Sequence, residues 1–230
     1  MDSRGFICLK PGRAVGLASG VEIATRLCRL RENVRLGALT ILAVTIVASV
    51  TALLSPRLLE RAVLRPYLIA RRSDYWRLLT SGFVHADIAH LLFNLITFYS
   101  FAFTLERVIG TARFISLYFC GLLASGIGTC IKHRDEPNYA SLGASGAILA
   151  VLFASIVYFP RSRLFILPFP IPIPAPLFAV VYLAWSYYSS RFSKDRINHD
   201  AQIAGALTGI AFVALTDPQS FVALLRYLKR

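Results

Sequence analysis

The chain has 230 residues, 56% of them hydrophobic, a mean hydropathy of +0.60 and only 16% charged residues. A soluble domain of this length would carry more charge, so the composition excludes a water-soluble globular protein and calls for an integral membrane one. The net charge of +13 is scattered among connections without an aromatic-interleaved basic patch, which argues for a lipid bilayer and no nucleic acid as the partner.

Residues 1–35 are basic and broken by glycine and proline, and read as a flexible cytoplasmic tail. The apolar run that follows, Leu36 to Leu54, is too long for a signal-peptide core and predicts a first membrane span. Residues 57–82 mix polar and apolar types around Pro66-Tyr67, Arg71-Arg72 and Asp74-Tyr75-Trp76-Arg77, a composition suited to the membrane interface. Spans two and three are expected at Phe83–Thr104 and Phe114–Ile131, and the short connections 105–113 and 132–142 make neighbouring spans antiparallel. A fourth span begins at Ser145 and runs to Phe159. Pro168, Pro170, Pro172, Pro174 and Pro176 then recur at every second position, which predicts extended chain and a late start for span five, Pro176–Tyr188. Ala201–Leu215 is the sixth span, and 217–230 is read as a short cytoplasmic tail.

The expectation is therefore an all-α membrane protein, one six-helix transmembrane domain over 36–216. An even number of spans puts both ends on one side of the membrane. That side carries 14 Lys and Arg against 11 on the other, which favours both ends inside, in a bacterial inner membrane. Cys8, Cys28, Cys120 and Cys130 have neither metal-ligand spacing nor a disulfide framework, so no metal and no cofactor is expected.

Polar side chains at membrane depth mark function or helix packing. At about 100° per residue, His90 and Asn94 share one face of the second span, whereas His85 precedes the regular helix. Two adjacent donors of this kind can stabilise a developing oxyanion, or can hold helices together. In Gly143-Ala144-Ser145-Gly146 the hydroxyl is either packing glue or a nucleophile whose flanking glycines admit a substrate backbone. Gly205 and Gly209 form a GxxxG face on the last span, and Gln202, three residues earlier, is aimed into the same close interface with Ser145 as its expected partner.

Taken in order, Trp76-Arg77, His85-x4-His90-x3-Asn94, Glu106-Arg107 with Gly110, Gly143-Ala144-Ser145-Gly146 and Ala201-x-x-x-Gly205 resemble the rhomboid family of intramembrane serine proteases, over roughly residues 60–216. The resemblance implies a six-helix rhomboid-like bundle with a Ser–His dyad linking spans four and six. It implies Ser145 as nucleophile, His90, Asn94 and the Ser145 amide as oxyanion site, His85 beside it, and transmembrane segments of other proteins as substrates. Trp76 and Arg77 would belong to the interfacial loop, and span five would be the mobile side.

One position departs from the family pattern. Where its last span begins Ala-His-x-x-Gly, this chain has Ala201-Gln202-Ile203-Ala204-Gly205. A serine needs a neighbour that takes its proton and returns it to the leaving amine, and a carboxamide does neither at neutral pH. The expected function is thus a rhomboid-type scaffold with hydrolysis abolished or strongly weakened. The alternative is an active endopeptidase that uses a substitute base such as His199, one turn before Gln202, which otherwise reads as a solvated residue beside Asp200. His85 is a more remote substitute, and His133 has no case. A transporter or channel is disfavoured by the absence of inverted repeats and of carboxylates at membrane depth.

Overall fold

The computed structural model describes residues 36–166, 169–192 and 197–229, with main chain alone at 169–170. The basic segment 1–35, with Cys8 and Cys28, and also Pro168 lie outside the described residues. The elements are α1 (Leu36–Leu54), three short helices α2 (Pro56–Ala62), α3 (Pro66–Arg72) and α4 (Arg77–Thr80), a 3-10 turn at Ser81–Phe83, α5 (Ile88–Ile109) and α6 (Thr111–Lys132). After α7 (Ser145–Tyr158) come an antiparallel pair, β1 (Arg163–Ile166) and β2 (Phe169–Pro174), then α8 (Ala175–Phe192), α9 (His199–Thr216) and α10 (Pro218–Leu228).

Each of the six expected apolar segments contains a helix. Helices α1, α5 and α6 are long and apolar enough to cross a membrane, and α9 passes that test only together with α10, from which it is bent by 114°. Helix α7 has 14 residues, about 21 Å, and every residue from Gly146 to Val157 is buried. A helix surrounded by protein need not match the bilayer, so α7 is the core around which the others stand.

Close backbone approach seats α9 on α7. A Cβ on Gly205 would fall on the carbonyl of Gly146, 2.9 Å from its Cα, and one on Gly209 would lie 2.9 Å from the Cα of Ala150. Both pairs advance together, so α7 and α9 run parallel, with the GxxxG face as the contact. Behind Gly146 stands α6: a Cβ there would lie 2.5 Å from Cβ of Ser125.

Polar bonds tie the ends. At the hairpin end, buried Glu106 on α5 accepts hydrogen bonds from the amides of Gly37 (3.0 Å) and Ala38 (2.9 Å) and from the Thr111 hydroxyl (2.7 Å). The carboxylate serves as a cap for α1 from another helix. At the loop end, Nη1 of buried Arg77 points at the carbonyls of Glu60 (3.0 Å), Arg61 (2.8 Å) and Val63 (2.8 Å), and its Nε donates to Asp74 (3.2 Å). This gathers α2–α4 into a compact connection.

Three boundaries differ from expectation. Helix α5 starts at Ile88 because the Asp87 side chain caps it, accepting from the His90 amide at 2.8 Å, and residues 81–83 form a separate turn. The prolines before α8 are extended as expected, but β2 also pairs with β1, with Leu164 opposite Ile173. The segment read as a short tail contains α10. Its first turn is capped by Asp217, which accepts from the Ser220 amide (3.2 Å) and hydroxyl (2.8 Å), and these bonds hold the carboxyl below the usual carboxylate range.

The glycine contacts predict a contrast. Gly205→Ala should force α7 and α9 apart and cost about 1–3 kcal/mol, lowering the thermal midpoint in detergent. Gly128→Ala, whose new methyl finds its nearest neighbour at 4.0 Å, should be neutral or slightly stabilising.

Candidate active site

The approach to Ser145 is laced from three sides. Leu64 and Ser141 exchange backbone hydrogen bonds (2.9 and 3.0 Å), and the Gly143 amide donates to the Ser81 carbonyl (2.8 Å). Gly143 has φ +111°, and a Cβ there would lie 2.8 Å from Cε1 of His90. Glycine is therefore required twice, by conformation and by space.

Ser145 is the first residue of α7, and its N-cap, Ala144, contributes no side-chain bond. The first helical hydrogen bond runs from the Ile148 amide to the Ala144 carbonyl (2.9 Å). Among the described residues the amides of Ser145, Gly146 and Ala147 meet no acceptor. These amides at a helix start form a positive rim suited to an oxyanion. The Ser145 side chain is half-buried and makes no hydrogen bond among the described residues.

His85 is fully buried outside α5. Ser49 on α1 donates its single hydroxyl hydrogen to the Phe83 carbonyl (2.8 Å), so its contact with Nδ1 of His85 (2.8 Å) requires Nδ1 to carry the proton. Nε2 of His85 then faces the Ala144 amide at 3.5 Å. The ring thus bridges α1 and the Ser145 approach. Its ring meets His90 edge-on, centroids 4.9 Å apart. Asn94, buried one turn beyond His90, donates one amide hydrogen to the His90 carbonyl (3.0 Å) and keeps the second. The structure thus brings Ser145, His85, His90, Asn94, Gly143 and Gly146 into one cluster.

Gln202 stands on the first turn of α9, three residues before the Gly205–Gly146 contact and half-buried. The helices meet as expected, yet among the described residues its carboxamide makes no hydrogen bond to Ser145 or to any other side chain. His199 departs from expectation, being 5% exposed rather than solvated. The cause is Asn198. It caps α9 by accepting from the Ala201 amide (3.1 Å) and donates to Thr129 (2.8 Å) and Ser141 (3.2 Å), drawing the first turn against α6 and the Ser145 approach. Asp200 turns outward to pair with Lys132. Asn198 was not singled out in the sequence, although asparagine directly before an apolar helix is a capping signal. Trp76 lies exposed at the loop end, away from this cluster, and Arg77 serves the connection beneath it.

A family model described as Rhomboid domain matches residues 72–218. RHOMBOID-like protein 12, mitochondrial, of Arabidopsis thaliana is 31% identical over 144 residues, which cover 56% of this chain and 43% of that protein. The putative rhomboid protease YdcA of Bacillus subtilis is 42% identical over 79 residues, 34% of this chain and 38% of that one. Rhomboid protease GluP of the same organism is 32% identical over 154 residues, 66% of this chain and 28% of its own length. The chain thus spans 28% to 43% of the length of these relatives.

The Gly143 geometry carries a test. Gly143→Ala adds left-handed strain of about 1–3 kcal/mol and displaces the His90 ring. The thermal midpoint should fall by roughly 2–10 °C, with changed side-chain resonances of His85 and His90 by NMR.

Proposed function

The chain belongs to the Rhomboid family, and on that premise we propose that it is an intramembrane serine-protease scaffold whose hydrolytic step is abolished or strongly weakened by Gln202. It receives transmembrane segments of other membrane proteins. The observation that supports this reading is the Gly205–Gly146 contact, which sets the first turn of α9 against the start of α7; on this reading Gln202, without a titrating group, stands where Ser145 needs a base.

The chemistry follows from the atoms present. Attack of Ser145 Oγ on a peptide carbonyl forms the C–O bond and puts negative charge on the carbonyl oxygen. The Ser145 amide, the second amide hydrogen of Asn94 and the His90 ring offer donors for that charge. The hydroxyl proton must leave as the bond forms and must reach the amine as the C–N bond breaks. A carboxamide can orient the hydroxyl but cannot carry this proton, so binding and oxyanion stabilisation survive while turnover fails.

A second reading is an active endopeptidase with His199 as the base. It is favoured by the burial of His199, which at about 100° per residue lies some 60° around α9 from Gln202. As to location, we infer a bacterial inner membrane with both ends of the described chain on its cytoplasmic side. In support of the shared side, Leu36 and α10 lie at the end of the bundle away from Ser145.

The test labels Ser145 with a fluorophosphonate probe and follows cleavage of a model transmembrane substrate in proteoliposomes. The unaltered chain should react weakly, and Gln202→His should raise both signals about a thousandfold or more, with Ser145→Ala as the blank. Brisk labelling and cleavage by the unaltered chain, lost in His199→Ala, would replace the first reading with the second.

A further inference from the structure

Helix α10 leaves the end of α9 at 114° and so lies across the hairpin end of the bundle, where Phe221 and Leu224 pack on the core. Its surface divides three ways. Counted at about 100° per residue, Ser220, Phe221, Leu224 and Tyr227 fall within one arc of about 120°, and these half-buried residues face the bundle, with Phe221 and Leu224 packed on its core. The neighbouring arc holds Leu225 and Val222, and Leu228, at the free end of the helix between Leu224 and Phe221, is exposed as well. Gln219, Ala223 and Arg226 occupy the outer arc, and Lys229 projects from the last turn between Leu225 and Val222. A helix with one face on protein, an apolar flank and a basic outer face is shaped for a lipid–water boundary.

The same end is cationic. Arg107 at the close of α5, Arg113 on α6, Arg161 and Arg163 beside the hairpin, and Arg226 and Lys229 on α10 are all exposed. Arg161 lies 5.9 Å over the Tyr227 ring, so this group is continuous with the helix. Among the described residues the two carboxylates at this end are engaged, Glu106 with the α1 amides and Asp217 with Ser220. The segment 1–35 and a second copy of this chain are themselves basic and would be repelled.

We propose that α10 is an interfacial anchor whose apolar flank lies in the leaflet surrounding the hairpin end, while Arg226, Lys229 and the adjoining arginines bind the phosphates of anionic phospholipids. Such a helix fixes the depth at which the bundle sits, and it ties that depth to the charge of one leaflet.

The experiment uses the full chain with its cysteines replaced by alanine and single nitroxide-labelled cysteines at Leu225, Leu228, Gln219 and Ala223. The protein is placed in nanodiscs of phosphatidylcholine with or without phosphatidylglycerol. Labels at 225 and 228 should collide several-fold more with oxygen than with a water-soluble nickel chelate, and those at 219 and 223 the reverse. Phosphatidylglycerol should raise the oxygen-to-nickel ratio at 228, and the pair Arg226→Glu with Lys229→Glu should abolish that rise. The proposal is overturned if 225 and 228 are nickel-accessible, if both reagents are excluded there because protein covers the flank, or if lipid charge has no effect.

Discussion

The site depends on a contact in which no side chain takes part. Gly205 meets the Gly146 carbonyl and Gly209 meets that of Ala150, so α7 and α9 touch backbone to backbone. In a bilayer, where lipid tails are as apolar as leucine, packing of this kind replaces the hydrophobic drive between helices. It also sets geometry. With α9 seated this closely and parallel to α7, the residue three positions before Gly205 is delivered beside the start of α7 whatever its chemistry. The helix contact therefore does not depend on the side chain at 202, because it is made one turn away.

Burial of α7 supports the same point. Its flanking helices supply the length needed to cross a membrane, and α7 is free to be short and to begin inside the bundle. Its first amides are left without a side-chain cap, with glycine and alanine ahead of them. In a soluble helix that would be a weak start. Here the approach is held instead by Leu64, Ser81 and His85, so the donors stay open without fraying.

Much of this was legible in the sequence because it follows local period. Gly205 and Gly209 at four-residue spacing marked the interface, Gly143-Ala144-Ser145-Gly146 marked a helix start, and the alternating prolines marked extended chain. His85 was separable from the face of His90 and Asn94 by angle alone. What was not legible rests on partners far along the chain. Glu106 bonds amides 69 and 68 residues away, and Asn198 reaches Thr129 across 69. No local pattern specifies such pairings, and the burial of His199 is a by-product of one of them. Helix α10 was missed for another reason: a short amphipathic stretch after the last apolar run looks like a polar tail until its bend gives it a surface to lie on.

The proline hairpin has its own consequence. Pairing of Leu164 with Ile173, and the bond from the Ala175 amide to the Ser162 carbonyl (3.0 Å), turn the amides of alternate residues in β2 toward β1. The opposite edge falls to Pro172 and Pro174, which have no N–H to give. Along that margin an incoming extended peptide meets acceptors without donors, which disfavours a third strand beside β2. Among the described residues, the sheet is thus sterile to added strands on its β2 side.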